Sequence, residues 1–323
     1  MNEMRAALYD RYGPPEVLYE GTVPKPVPGP GEVLVRVHAA SVNGGELYGR
    51  AGRLRPVTGL ASRGFPKRVG IDFAGEVAAL GPGRNRPGPK VGDRVWGLLP
   101  RTFGSAAEYV TVRPRHIAPV PAGLDLAEAA ALPAVGTTAI TALRDKAGLR
   151  PGERLLVRGA AGGVGSVAVQ LGHALGAHVT ALAGARTLDF AGDLGADEVH
   201  DYATTDAAAL GPFDVVLDTV GTSHATYRRL LAPGGRMVAI AFDVGRPAAS
   251  LGYVAASAVF GRGRVRIFSG GVTHWLAAGL GRYVAEGMIR PVVDTVFPLA
   301  DIAKAHAAME AGGVRGKIVV RVV

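Results

Sequence analysis

Two groups of residues in this chain have types and spacing that could do chemistry. The first is VRGAAGGVGSVAVQ, residues 157 to 170, with Gly159, Gly162, Gly163 and Gly165 crowded together. Each glycine weakens regular structure unless a special conformation or a close approach requires it. An apolar run precedes the segment and a helix-like pattern follows, which is the setting of a phosphate-binding turn. In such a turn Gly162 and Gly163 let the backbone approach a pyrophosphate. The N–H groups of the helix start, Val164 among them, and the positive end of the helix dipole hold the anion. Gly165 lets the helix pack close to the strand. The alternative is a tight turn with no ligand. The second group is Ala183, Gly184 and Arg186, at the place about 20 residues after the glycines where the ribose of a dinucleotide is read.

The glycine turn also says which dinucleotide to expect. NAD sites carry an acidic residue about 20 residues after the glycines, at the end of the second strand, to bind the ribose 2′-OH. Along GAHVTALAGAR that place holds Ala183, followed by Gly184 and Arg186. No carboxylate stands there to repel a 2′-phosphate, and Arg186 offers a planar fork of donors to bind one. NADPH is therefore the expected cofactor. Against this, Arg186 also begins a helix, and an arginine on a surface needs no ligand to explain it.

The chain has no cysteine, which excludes disulfides, thiolate nucleophiles, iron–sulfur clusters and cysteine-ligated zinc. Its eight histidines stand far apart, with no two at helical ligand spacing. The net charge of +9 comes from scattered Lys and Arg, with modest clustering at 50–68, 84–94 and 262–266, so it reads as solvated surface rather than a nucleic-acid site. No uninterrupted apolar run reaches the roughly 18 residues of a membrane span. The first dozen residues lack the basic, apolar and small-residue pattern of a secretory signal, so a cytoplasmic address is expected.

The elements that must position these groups follow from the patterning. At 323 residues the chain is long enough for two domains, since single cores stop growing at about 250–300 residues. The first 120 residues are rich in Gly and Pro, with short β-like runs at 32–38 and 94–98, and predict an irregular β domain. Beyond PAGLDLAEAAALP strands and helices alternate: strands at 154–158, 178–182, 214–217 and 236–240, helices at 164–175, 186–194 and 224–231. Such alternation predicts α/β architecture, a doubly wound parallel (Rossmann) sheet covered on both faces. From about residue 271 a helix (274–286), an extended piece (290–297), a helix (299–310) and a terminal strand (317–323) follow.

With these residues in view the chain resembles the medium-chain dehydrogenase/reductase superfamily, in its zinc-free quinone oxidoreductase (zeta-crystallin-like) branch. The resemblance runs through AASVNGGELYGRAG (39–52), VGIDFAGEV (69–77), VGDRVWG (91–97), GSAAEYVTV (104–112), ALPAVGTTAITAL (131–143), the glycine turn, DVVLDTVG (214–221) and RGKIVV (315–320). It implies a mainly β GroES-like catalytic domain built from residues 1–125 and 267–323 around a dinucleotide-binding domain, 126–266, with the active site in the cleft between them. It also implies a homodimer formed by edge pairing of a strand near 265–268. Zinc-dependent relatives place a cysteine near Asn43 and a His-Glu pair where this chain reads Ile71 and Asp72. The implied chemistry is metal-free.

Without an ion to polarise a carbonyl, the suitable acceptor is a quinone or an α,β-unsaturated carbonyl, in which incoming hydride leaves a delocalised anion that neutral donors can hold. The resemblance assigns Asn43 to the nicotinamide or the substrate oxygen and Tyr48 to the pocket, its hydroxyl a donor. The alternative readings are a turn amide capping its own backbone for Asn43 and a core aromatic with a wet hydroxyl for Tyr48. Enoyl-thioester reductases carry their proton-donor tyrosine where this chain reads Leu54. The resemblance places Thr138 near the nicotinamide or its ribose. Tyr202, Val220, Ala241 and Phe268 follow strand ends where open α/β sheets bind ligands, Tyr202 toward the adenosine and the other three toward the nicotinamide. Lys317 either reaches the cofactor or is a surface lysine. Asp72 and Glu108 are expected to tie loops together rather than to catalyse.

The sequence thus points to an NADPH-dependent, zinc-independent oxidoreductase of quinones or activated enones, acting on a small molecule and not on nucleic acid or membrane. Two alternatives stay open: a biosynthetic enoyl or ketone reductase serving one metabolite, decided by residues 53–68 and 243–262, and a non-catalytic NADPH sensor or RNA-binding protein.

Overall fold

The computed structural model describes residues 2–53, 64–83, 88–100, 102–243, 245–257, 259–260, 263–268, 271 and 273–323. Leu54, and parts of the segments 53–68 and 243–262 expected to rim a pocket, lie outside the described residues. The chain packs as two compact units, one of residues 1–134, 271–286 and 291–323, the other of residues 135–270 and 287–290.

The first unit is built on antiparallel strands. β1 (Glu3–Tyr9) lies between β2 (Leu18–Pro24) and β4 (Lys67–Arg68). A seven-stranded sheet runs in the order β15 (Val293–Pro298), β16 (Lys317–Arg321), β3 (Val33–Ser41), β5 (Asp72–Leu80), β6 (Arg94–Leu98), β8 (Ile117–Pro119), with β7 (Tyr109–Val112) also paired to β3. The sequence VLVRVHAAS explains β3: Val33, Val35 and Val37 alternate into the core while Arg36 and His38 point away. Those valines meet Phe73, Val95, Ile117, Ile318 and Val320, so residues from the two ends of the chain share one core.

Register in this sheet decides which polar residues meet. Val319 of β16 stands opposite Ser41 of β3, and Ala40 of β3 opposite Phe73 of β5. The starts of β16 and β5 therefore flank the end of β3, which brings Lys317, Asp72 and Asn43 together from three distant parts of the sequence.

The second unit holds a six-stranded parallel sheet in the order β11 (Glu198–Asp201), β10 (His178–Ala183), β9 (Arg154–Arg158), β12 (Phe213–Asp218), β13 (Leu231–Ala239), β14 (Val265–Ile267). Its middle strands read as continuous apolar runs, Leu155–Val157 and Val215–Leu217, because helices cover both faces. Helix Gly163–Ala174 covers β9 and β10, as the alternating pattern predicts. The helix expected over 224–231 ends at Arg228, because Leu231 already pairs with Phe213 as the first residue of β13. The helix expected over 186–194 is a 3-10 turn, Ala185–Thr187, followed by a short helix, Leu188–Asp193. β11 and helix Pro247–Ser257 carry no strong pattern in sequence.

Candidate active site

The parallel sheet lines up its carboxyl ends. Pairing sets Arg158 of β9 level with Leu182 of β10 and Asp218 of β12, Asp218 level with Ala239 of β13, and Ala239 level with Ile267 of β14. On the other side Ala183 stands level with Asp201 of β11. The residues singled out in sequence leave the sheet just beyond this row: Gly184 after β10, Tyr202 after β11, Val220 after β12, Ala241 after β13 and Phe268 after β14. Crevices outside the carboxyl ends of parallel strands are where such sheets bind ligands.

The glycine turn leaves the middle of the row. Gly159 has φ +70°, and a Cβ there would meet Thr219 Oγ1 at 2.4 Å. A Cβ on Gly165 would come within 2.0 Å of the Gly159 carbonyl oxygen, so only glycine allows this approach of helix to strand end. Gly162 caps helix Gly163–Ala174 in an extended conformation and offers no side chain to its N–H groups. Gly162, Gly163 and Val164 are partly exposed while Gly165 is buried. A bare helix start with unspent donors fits the diphosphate of a dinucleotide.

Beside it, Gly184 opens the 3-10 turn bearing Arg186, and Thr187 donates to the Gly184 carbonyl through N–H (2.8 Å) and hydroxyl (3.0 Å). A Cβ on Gly184 would sit 3.3 Å from the Tyr202 ring, so these two predicted residues are neighbours. Arg186 and Tyr202 are exposed, and no carboxylate occupies position 183 at the end of β10. Thr138 is half-buried on helix Pro133–Ile140.

In the first unit the residues around Asn43 form a buried polar cluster. Asn43 precedes helix Gly44–Arg50, which carries Glu46, Tyr48 and Arg50. Its amide Nδ2 donates to the Ser41 carbonyl (3.1 Å), Glu46 Oε1 (3.0 Å) and Asp72 Oδ1 (3.1 Å), while its Oδ1 accepts from Lys317 Nζ at 2.8 Å. Lys317 Nζ also donates to the Val42 carbonyl at 2.5 Å. The Ser41 hydroxyl donates to Asp72, and the Gly70 N–H donates to Glu46 Oε2 at 2.8 Å. Asn43 thus shares two amide hydrogens among three acceptors, and donation to a substrate oxygen would have to displace one of them. Lys317 is buried, so its ammonium serves this cluster rather than solvent. Tyr48, on the same short helix, is partly exposed.

Burial governs the charges. It pushes the Glu46 carboxyl up to about 7, aided by the nearby Asp72 charge and opposed by the Asn43 hydrogen bond, Lys317 and the Gly70 N–H. Burial raises Asp72 and lowers Lys317, each opposed by its oppositely charged neighbours. Glu108 accepts from Arg5 through both the Arg5 backbone N–H (2.9 Å) and Nε (3.0 Å). Among the described residues no three His, Cys, Asp or Glu side chains are arranged to hold a metal ion, and no helix is long and apolar enough to cross a membrane.

The sequence reading names Lys317 and Asp72 separately but does not join them to Glu46, and it has no place for Arg158 with Asp218. Lys317, Glu46 and Asp72 are one charge cluster, and their only signal in sequence was the improbability of burying each alone. Arg158 and Asp218 form a second buried pair at 2.8 Å, signalled by a charge ending each of two apolar strands.

Known proteins repeat both halves of this arrangement. Residues 29–122 match the alcohol dehydrogenase GroES-like domain family, and residues 194–320 the zinc-binding dehydrogenase family. The human protein named NAD(P)H oxidoreductase RTN4IP1, mitochondrial, is 32% identical over 362 aligned positions, covering 99% of this chain and 89% of the relative. The trans-enoyl reductase pgmF of Aspergillus terreus is 32% identical over 91% of this chain and 87% of its own. Among solved structures, the quinone oxidoreductase from Coxiella burnetii is 31% identical with a TM-score of 0.87, covering 99% of this chain and all of that one. The fold and these relatives define an oxidoreductase with a GroES-like domain and a parallel dinucleotide-type sheet. The chain belongs to the medium-chain dehydrogenase/reductase superfamily, in its zinc-free quinone oxidoreductase branch.

Proposed function

We propose that this protein is an NADPH-dependent, zinc-independent reductase of quinones or activated α,β-unsaturated carbonyls. One observation carries the reading: the glycine turn, the Gly184–Arg186 turn and the ends of β11 to β14 stand in one row at the carboxyl edge of the sheet. When bound there, the reduced nicotinamide supplies a hydride to the acceptor and is oxidised. The N–H groups of the helix start, Gly163 and Val164, hold the diphosphate, and Gly162, whose own N–H donates to the Gly159 carbonyl, lets it come close. Arg186 reads the 2′-phosphate, and Tyr202 flanks the adenosine beside Gly184. Val220, Ala241, Phe268 and Thr138 line the nicotinamide side.

In the catalytic domain, read as residues 1–125 and 267–323, Tyr48 faces the acceptor and donates its hydroxyl to the oxygen that gains charge, and solvent completes the protonation. Asn43, tied to Lys317, holds the start of the helix that carries Tyr48. Zinc independence is supported by a chain without cysteine and by an Asp72 committed to Ser41 and Asn43.

The test is oxidation of NADPH with a naphthoquinone and with a simple enone, each with and without a chelator. Turnover that survives the chelator and prefers NADPH to NADH supports the reading. Absence of turnover across a broad carbonyl panel, or loss of activity on removing zinc, overturns it. The likeness to the trans-enoyl reductase favours a second reading, a reductase serving one enone metabolite. Protein that ignores quinones yet reduces a single bulky enone would select it.

A further inference from the structure

We infer that Asp218, held by Arg158, is a positioning residue that pre-shapes the turn 219–222 for the nicotinamide side of the dinucleotide. The inference rests on the cofactor reading above and assigns a role to a buried ion pair that this reading leaves unused.

Arg158 and Asp218 end adjacent strands and are both buried, Asp218 completely. A buried ion pair gains little net stability over an apolar pair of similar volume, so what it organises matters more than its strength. Here each of four consecutive residues is tied to it. The Thr219 hydroxyl donates to the Arg158 carbonyl at 2.7 Å. Val220 and Gly221 donate their N–H groups to Asp218 Oδ1 at 2.9 and 3.1 Å, and the Thr222 carbonyl accepts from Arg158 Nη1 at 2.7 Å. The same Nη1 donates to Asp218 Oδ1 at 2.8 Å.

The pair is itself walled in. The Arg158 guanidinium lies 3.6 Å from the Tyr227 ring centre, and His224 Nε2 stands 3.1 Å from Asp218 Oδ2 while its ring stacks on Tyr253. In front, the turn is wedged between two other strand ends. Thr219 packs on Gly159, and a Cβ on Gly221, whose φ is +88°, would meet Phe242 N at 2.7 Å and Ala241 C at 2.8 Å. The product of this buried scaffold is an apolar side chain held outward: Val220 is 46% exposed. A fixed turn presenting an exposed valine at the carboxyl edge of the sheet suits a ring that must be held at one angle and depth.

The test uses the full chain with NADPH as the probe, followed by its fluorescence, alongside hydrogen exchange of the apoprotein. Asp218→Ala should weaken NADPH binding about tenfold or more, while Asp218→Asn, which keeps an acceptor at Oδ1, should return it to within about threefold of wild type. The Val220 and Gly221 amides should be protected before any cofactor is added. If wild type binds NADPH and Asp218→Ala binds it as tightly, the inference fails and the cofactor reading stands. If wild type binds neither NADPH nor NADH, the cofactor reading itself fails. Should Asp218→Ala not fold, exchange decides: rapid exchange of those two amides in the folded apoprotein overturns the inference.

Discussion

The two polar regions of this molecule are built by opposite means. Around Asn43 the polar groups are side chains drawn inward from three strands and a short helix, with Glu46, Asp72 and Lys317 all buried and satisfied mainly within the cluster. Along the carboxyl edge of the parallel sheet they are largely backbone N–H groups, left uncapped by side chains at the start of helix Gly163–Ala174 and drawn in to Asp218 in the turn that follows β12. The first arrangement is costly in desolvation and sensitive to charge. The second is inexpensive in charge and sensitive to shape. One region closes on itself, and the other leaves the donors of a helix start uncapped.

Removing the cation from the first region should have the largest effect. Lys317→Met leaves two buried carboxyls without their ammonium and should destabilise the protein by about 3–5 kcal/mol, read by chemical denaturation. A change of under 1 kcal/mol would show that the cluster is not an interdependent unit.

The next effect should appear in the pH dependence of stability. His306 is buried near Arg50, and burial, aided by that positive charge, lowers its imidazolium from the ordinary 6.5 to about 3. The unfolded chain therefore takes up this proton first. The stability belonging to neutral His306 is present above pH 6.5 and is lost as pH falls toward 3, by about 3 kcal/mol at pH 4. Glu46 has the opposite sign: its carboxyl is raised from 4.5 to about 7, so its contribution is complete below pH 4.5 and is lost as pH rises through 7. Denaturation midpoints across pH should fall on both sides of a plateau between about 4.5 and 6.5. His306→Phe should flatten the acid limb and Glu46→Gln the neutral limb, whereas substitutions at the glycine turn should alter neither.

Shape, not charge, should break the second region. Gly165→Ala places a Cβ against the Gly159 carbonyl and should destabilise the protein by about 1–3 kcal/mol while weakening NADPH binding. Unchanged binding would mean that the helix start is not the diphosphate cradle. The smallest effect is expected at the rim. Arg186→Ala should raise the KM for NADPH roughly tenfold and leave that for NADH unchanged, since one charge-assisted contact is lost. Equal shifts for both coenzymes would remove Arg186 from 2′-phosphate recognition.

The legibility of the two regions in sequence differs for the same reason that their construction does. β9 is predicted residue for residue because a short apolar run bounded by charge and glycine is a local signal, and the helix after it is displaced by a single residue. Gly159 and Gly165 announce themselves because close approach leaves no other residue type possible, whereas a Cβ at Gly162 would find room. β11 is implied only by the place of Tyr202 and has no pattern of its own, because Glu-Val-His-Asp has too little apolar content to read as a strand, and its position at the edge of the sheet tolerates that. Helix Pro247–Ser257 was missed for want of any clear apolar periodicity. Lys317 could be read as surface or site because nothing in RGKIVV tells where the ammonium ends.

By itself the sequence determined the family, the alternation that makes a parallel sheet, the glycine turn and the missing carboxylate at Ala183, all of which are encoded in residues close together along the chain. Only the tertiary structure decided that Lys317 holds Asn43, that Glu46 and Asp72 share one buried environment, and that Arg158 and Asp218 build the turn under Val220. Those pairings depend on strand register between segments far apart in sequence. Burial then turns ordinary charged residues into coupled ones, and no local pattern records it.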